Sequence, residues 1–151
     1  MEKAEIRRKI KALRRMLSEE ERERAASDVF DQLERSAAFL MADHILMYHS
    51  LPDELSTRRF LDKWHDRKRF YLPRVNGVNL EILPYEQSRL ELGAFHIEEP
   101  VGDELVDPSE IEMIVVPAVA YEFQLVDEVP TEEHDVPMDI VITQSSYIVI
   151  R

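Results

Sequence analysis

The sequence predicts an α/β domain, on three observations. Amphipathic helical patterns alternate along the chain with short apolar runs, as when helices cover the strands of one sheet. The runs Ile45-Leu-Met-Tyr48 and Glu112-Met-Ile-Val-Val-Pro117 are dominated by apolar residues, the pattern of strands buried on both faces. A length of 151 residues with 44% hydrophobic content is enough for one buried core, so residues 1–151 are read as a single domain.

The elements follow in order. Ile6, Ile10, Leu13 and Leu17 recur at helical spacing and make the first helix amphipathic. Lys3, Arg7, Lys11 and Arg14 form a second stripe, about 60° round the helix from the first, so cationic heads border the apolar face. Ser18-Glu-Glu-Glu21 is a capping box that starts a second helix, with Ala25, Val29, Phe30 and Leu33 as its core face. The run Ile45–Tyr48 is the next strand, stopped by Pro52-Asp53. Ser56 or Thr57 caps a further helix that places Phe60 and Trp64 on one face. Phe70–Pro73 reads as a strand, and Asn76-Gly77 as a type I′ turn leading to a partner strand at Leu80–Leu83. Tyr85 to Asp107 reads as irregular chain anchored by Phe95, Ile97 and Pro100. The run ending at Pro117 is the clearest buried strand, and two short strands follow at Ile140–Thr143 and Tyr147–Ile150.

Composition excludes several functions. No apolar run approaches the roughly 20 residues of a membrane span, and the amino terminus lacks the apolar core of a signal peptide, so a cytoplasmic location is expected. With no cysteine there are no disulfides, thiolate nucleophiles or thiolate metal sites. A net charge of −12 opposes general binding to nucleic acid. The charge is uneven: residues 1–15 carry seven basic and two acidic side chains, a local +5, so the remainder carries −17. A basic helix on an acidic body suits a small anionic ligand better than a long one. Gly77, Gly93 and Gly102 are the only glycines, where average usage gives about ten.

Candidate chemistry gathers at few places. Glu54 lies just past the carboxyl end of the Ile45–Tyr48 strand, where open α/β sheets bind ligands, although a turn carboxylate is also commonly just solvated. Lys3 and Arg7, one turn apart, either bracket a phosphate or form a solvated basic face. Thr131-Glu-Glu-His-Asp135 is the densest set of potential metal ligands, and Asp135 suits magnesium; the segment also reads as an acidic loop. His49 follows the strand and either lines a pocket or is structural; His96 carries the same ambiguity. Ser145 and Ser146 have no nucleophile elbow around them, and no zincin, P-loop or dinucleotide glycine pattern occurs.

Taken in order, these pieces resemble the 5-formyltetrahydrofolate cyclo-ligase (methenyltetrahydrofolate synthetase) family. The matching segments are Lys3-Ala-Glu-Ile-Arg7 leading to Leu17-Ser-Glu-Glu, and Tyr48-His-Ser-Leu-Pro-Asp-Glu54 with Thr57. Next come Leu72-Pro-Arg74, Leu92-Gly-Ala-Phe-His-Ile-Glu-Glu-Pro100 and Ile114-Val-Val-Pro-Ala-Val-Ala120. Val129-Pro-Thr-Glu-Glu-His-Asp135 and Met138-Asp-Ile-Val complete the series, which spans nearly the whole chain.

The resemblance implies a three-layer α/β/α sandwich around a mostly parallel sheet, like ribose-5-phosphate isomerase and CoA transferases. It implies ATP as co-substrate and Mg2+ as cofactor in converting 5-formyltetrahydrofolate to 5,10-methenyltetrahydrofolate, ADP and phosphate. In this pattern Lys3 and Arg7 hold ATP phosphates, while His49, Glu54 and Phe95 line the folate site. Glu54 is the catalytic residue near the reacting nitrogen, and Asp135 binds magnesium. A cytoplasmic monomer with small-molecule partners, and no nucleic-acid or membrane partner, is expected. Phosphoryl transfer depends mainly on positioning and charge neutralisation, which suits these roles.

One departure is large. After Pro117 the family continues through a glycine-rich ATP loop, a helix and a strand, whereas here Ala120-Tyr121 runs almost directly into Phe123-Gln-Leu125. Either this sequence leaves out a loop between Tyr121 and Phe123 that the natural protein carries, or the natural protein has lost it. The first is expected, because deleting a core helix and strand exposes apolar surface and unpaired backbone groups. The second leaves a non-catalytic folate- or nucleotide-binding relative; a basic-helix adaptor for RNA is a third reading.

Overall fold

The computed structural model describes residues 2–51, 54–86, 90–92, 98–116, 138–143 and 147–149. The expectations placed on Pro52-Asp53, Phe95, His96, Ile97, residues 131–135 (Asp135 included), Ser145 and Ser146 lie outside them.

The amino-terminal helix α1 (Lys3–Arg15) leads to α2 (Glu19–Arg35) and α3 (Ala37–Met41). The capping box at the start of α2 forms as the sequence specifies. Ser18 Oγ accepts from the Glu21 amide at 3.1 Å, and the Glu21 carboxylate accepts from the Ser18 amide at 3.4 Å. Ala25, Ala26, Val29, Phe30 and Leu33 form the buried face of α2. Ser36 then serves two helices, donating to the Leu33 carbonyl at 2.7 Å and accepting from the Phe39 amide at 3.2 Å. In α1 the apolar stripe is only partly covered: Ile6, Ile10 and Leu17 are half-buried, and Leu13 is exposed.

The central sheet has the order β3-β2-β1-β6. Strand β1 (His44–Leu46) pairs in parallel with β2 (Arg69–Asn76) on one side and β6 (Met113–Ile114) on the other. Strand β3 (Asn79–Pro84) returns antiparallel along β2. Two of the three pairings are parallel, so the expected α/β class with a mostly parallel central sheet and helices is what the chain forms.

Helix α4 (Arg58–Trp64) packs its apolar face through Phe60. The Phe60 ring lies 4.8 Å from Phe30 of α2, 5.4 Å from Phe39 of α3 and 5.8 Å from Phe70 of β2, measured between centroids. Trp64 meets Phe39 edge-on at 5.0 Å and donates its Nε1–H to Glu34 of α2 at 2.7 Å, so a half-buried aromatic keeps a polar partner. Lys63 closes on the other Glu34 oxygen at 2.8 Å. Lys68 donates to the Ala42 carbonyl at 2.6 Å just past α3, with its ammonium 4.7 Å over the Phe39 ring.

Four expectations are corrected. Strands β4 (Leu90–Leu92) and β5 (Glu98–Pro100) form an antiparallel ribbon inside the stretch read as irregular. Polar contacts, invisible to hydrophobic periodicity, hold its β5 end. The Glu99 carboxylate accepts from the Val75 amide at 2.7 Å, and Arg74 bonds both Glu81 and the Gly102 carbonyl. The β2–β3 register sets Asn76 opposite Asn79, so the central pair of the turn is Gly77-Val78 rather than Asn76-Gly77. Gly77, at φ +63°, takes the first central position, which a type II′ turn reserves for glycine.

The third correction concerns β6, which is shorter and more open than a buried strand. Ile114 is 63% exposed, because β1 is the only neighbour β6 has among the described residues. An apolar groove of about 790 Å³ runs beside it, lined by Leu33, Met41, Val115, Ile140 and Tyr147 among others. The fourth is the Thr57 cap, treated with the site below. Strands β7 (Ile140–Ile142) and β8 (Tyr147–Val149) form where expected, as a separate antiparallel ribbon. Gln32 of α2 donates to the Thr143 carbonyl and ties that ribbon to the helix.

Phe60 joins α2, α3, α4 and β2, so its truncation leaves a cavity at a four-way junction. Phe60→Ala is expected to cost about 3–5 kcal/mol, read as a lower urea midpoint. A loss below about 1 kcal/mol would show that the junction does not carry the packing.

Candidate active site

The carboxyl end of β1 is built as a closed loop. Beyond Leu46 the Met47 amide donates to the Tyr71 carbonyl at 2.9 Å, which extends the β1–β2 ladder to the threshold of the loop. Tyr48 is buried and donates its hydroxyl to the Leu55 carbonyl at 2.8 Å, drawing the far side of the loop back onto the strand. Ser50 and Thr57 clasp each other: the Ser50 amide donates to Thr57 Oγ1 at 3.2 Å, and the Thr57 amide donates to Ser50 Oγ at 3.1 Å. Thr57 is the N-cap residue of α4 by position, but its hydroxyl is committed to Ser50; of the two expected caps it is Ser56 whose Oγ accepts a helix amide, that of Arg58 at 3.4 Å. The fully buried Thr57 therefore fixes loop to helix, a role that cap statistics do not foresee.

Glu54 stands inside this loop. Its Oε1 accepts from the Leu51 amide at 2.9 Å, while its own amide donates to the Leu51 carbonyl at 3.0 Å. The carboxylate is thus held by a backbone donor, with Glu54 half-buried at the loop rim. Both hydrogen bonds tie it to Leu51, two residues beyond His49 on the same loop.

His49 is the buried titratable group of the site, its side chain 7% exposed. Nδ1 lies 3.5 Å from Glu98 Oε2, on β5, whose side chain is 40% exposed. Burial pushes the imidazole below its usual 6.5; Glu98 opposes that shift, and Arg58 at the start of α4 adds to it. Tyr85, placed by its amide on the Phe70 carbonyl at 2.9 Å, feels the same groups. Burial raises its phenol first, then Asp62, with Arg58 opposing and Glu98 adding a little. His49, Arg58, Tyr85 and Glu98 thus converge from the β1 loop, α4, the end of β3 and β5.

His49 and Glu54 both lie on the loop that follows β1. Lys3 and Arg7 sit one turn apart at the amino end of α1, Lys3 half-buried and Arg7 exposed. Phe95 and Asp135 lie outside the described residues, and among those residues no group of three or more His, Asp or Glu gathers to hold a metal. Arg58, Tyr85 and Glu98 were missed by sequence reasoning. Glu98 falls within the Leu92–Pro100 segment used for the resemblance, but nothing local marks it; Glu98 reaches the site from β5, Tyr85 from the end of β3, and Arg58 from the start of α4. No helix among the described residues is long and apolar enough to cross a membrane.

The depressed imidazole has a consequence for stability. The unfolded chain protonates His49 near 6.5, before the folded protein does, so its neutral form favours the fold above that value. This contribution is lost as the pH falls through the lower folded value. His49→Asn is expected to flatten the thermal midpoint between about pH 7 and about pH 5 relative to wild type. An unchanged slope would remove His49 from the pH response.

Comparison with known proteins adds to this geometry. The family model described as the 5-formyltetrahydrofolate cyclo-ligase family matches residues 1–122. Among solved structures, the NMR structure of Aquifex aeolicus 5,10-methenyltetrahydrofolate synthetase aligns with a TM-score of 0.90 at 26% identity, covering 100% of this chain and 94% of that one. No curated protein sequence matches. The family model spans most of the chain, including the loop after β1 and the His49 and Glu98 positions, and the chain belongs to the 5-formyltetrahydrofolate cyclo-ligase family of enzymes.

Proposed function

We propose that the protein uses ATP to cyclise 5-formyltetrahydrofolate to 5,10-methenyltetrahydrofolate, releasing ADP and phosphate. The observation that carries this reading is the structural match over the whole chain to a methenyltetrahydrofolate synthetase, joined to family membership over residues 1–122. The formyl oxygen, a poor leaving group, takes the γ-phosphoryl group, forming one P–O bond as the bond to ADP breaks. N10 then attacks the activated carbon and loses its proton, and the C–O bond breaks with departure of phosphate.

His49 and Glu54 bind the folate in this reading, with Glu54 held by the Leu51 amide beside the reacting nitrogen. Phe95 packs against the substrate. Lys3 and Arg7 hold phosphate oxygens, for which a cation pair one helical turn apart is suited. Magnesium neutralises phosphate charge when bound, and Asp135 is the residue assigned to hold it. The protein works as a cytoplasmic monomer.

A purified full-length sample is expected to form 5,10-methenyltetrahydrofolate, followed by its absorbance, only with both ATP and magnesium. Arg7→Ala is expected to raise KM for ATP about tenfold with the thermal midpoint unchanged, because an exposed cation adds little stability. No turnover by folded wild-type protein would sink the reading, and an unchanged KM for ATP in the variant would take Arg7 out of the site.

The single domain also includes, on this reading, an ATP loop, helix and strand between Tyr121 and Phe123 that the 151-residue sequence lacks. The open edge of β6 and the apolar groove beside it, among the described residues, are the surfaces such a segment needs. Intact mass of the natural protein tests this. A mass several kDa above 17.8 kDa is expected; a match would mean that the loop is lost.

A further inference from the structure

We propose that Glu98 is a positioning residue that acts through His49: its carboxylate selects the imidazole tautomer with the proton on Nδ1 and leaves Nε2 as an acceptor for an N–H of the reduced pterin. The inference rests on the proposed folate site and adds to it a residue outside that assignment. Its basis is the 3.5 Å approach of Glu98 Oε2 to Nδ1, made from β5 onto a side chain only 7% exposed. A carboxylate facing one ring nitrogen favours the proton there, and in a neutral imidazole the other nitrogen then carries the lone pair.

The surroundings favour the neutral ring. Burial disfavours the imidazolium, and Arg58 from α4 disfavours it further, while Glu98 from β5 is the only one of the three influences that supports it. Tyr85, at the end of β3, shares the field of Arg58 and Glu98, and Asp62 of α4 acts on Tyr85. The separation is at ion-pair rather than hydrogen-bond length; such contacts often tighten when a substrate closes the site. The β5 end is itself braced, because Glu99 takes the Val75 amide at 2.7 Å, so Glu98 approaches His49 from a fixed strand. A neutral imidazole with its lone pair on Nε2 recognises an N–H and rejects a carbonyl at the same place. It thereby reads the orientation of the pterin edge.

The test combines nitrogen-15 spectra of the His49 ring with steady-state kinetics on wild type, Glu98→Ala and Glu98→Gln. Neutral wild-type His49 is expected to carry its proton on Nδ1, and Glu98→Ala to give a tautomer mixture. The same variant is expected to raise KM for 5-formyltetrahydrofolate about tenfold, leave KM for ATP unchanged and move the acid limb of the pH profile lower. Glutamine still offers an oxygen to Nδ1–H and is expected to restore both the tautomer and the folate KM. A wild-type ring protonated on Nε2, or an alanine variant with unaltered tautomer and folate KM, overturns the proposal. If wild type shows no turnover, the functional reading fails separately, and the spectra still decide whether Glu98 sets the tautomer.

Discussion

Helix α4 is only seven residues long, and most of the molecule depends on how it is held. An isolated helix of that length does not form in water, because nucleation costs more than so few hydrogen bonds return. Its stability comes from outside. Phe60 fills the space between Phe30, Phe39 and Phe70, and Trp64 is pinned by Glu34. The Thr57–Ser50 clasp fastens the amino end. Core and site are therefore joined through one short element. The packing that orders α4 also fixes Arg58 and closes the loop that carries His49 and Glu54.

Parallel pairing supplies the other half of this coupling. Strand β1 has a neighbour on each side, and its hydrogen bonds continue past Leu46 through Met47 to Tyr71 and from Val115 to Leu46. Side chains just beyond such a strand inherit its rigidity, which is why ligand sites collect there in open α/β sheets. The ribbon end at β5 is fixed independently, by Arg74 and Glu99 against β2 and the chain around Gly102. The loop after β1 and the end of β5 thus meet at His49, both held by β2.

What could be read in advance followed the range of the interaction. The capping box at Ser18, the buried face of α2 and the strands at Ile45 and Phe70 are set by neighbours within a few residues, so periodicity and cap chemistry reveal them. The placement of Lys3 and Arg7 one turn apart on a helix, and of His49 and Glu54 after a strand, was legible for the same reason. Arg58, Tyr85 and Glu98 were not. They come from separate elements and meet only after the sheet has assembled, and no residue pattern encodes that distance. The β4–β5 ribbon escaped because Arg74, Glu81 and Glu99 hold it through ion pairs and backbone bonds. The openness of β6 escaped because an apolar run reports the wish to be buried, not the presence of a neighbour.

The two ends of β1 treat charge in different ways. At the amino end the Glu112 carboxylate takes the Asp43 and His44 amides, both at 3.0 Å, and those bonds hold its carboxyl below the usual carboxylate range. His44 has a hydroxyl partner in Tyr71 at 2.8 Å. Polar groups there are satisfied in the folded state and favour it. At the carboxyl end a buried imidazole is desolvated, faced by Arg58 and only loosely met by Glu98, with a phenol driven upward beside it. That arrangement gives the fold little in return for the burial. A buried imidazole with a perturbed titration, facing a carboxylate from another element, is a frequent mark of a functional site. On the proposed function, the carboxyl end of β1 is the end that meets the substrate.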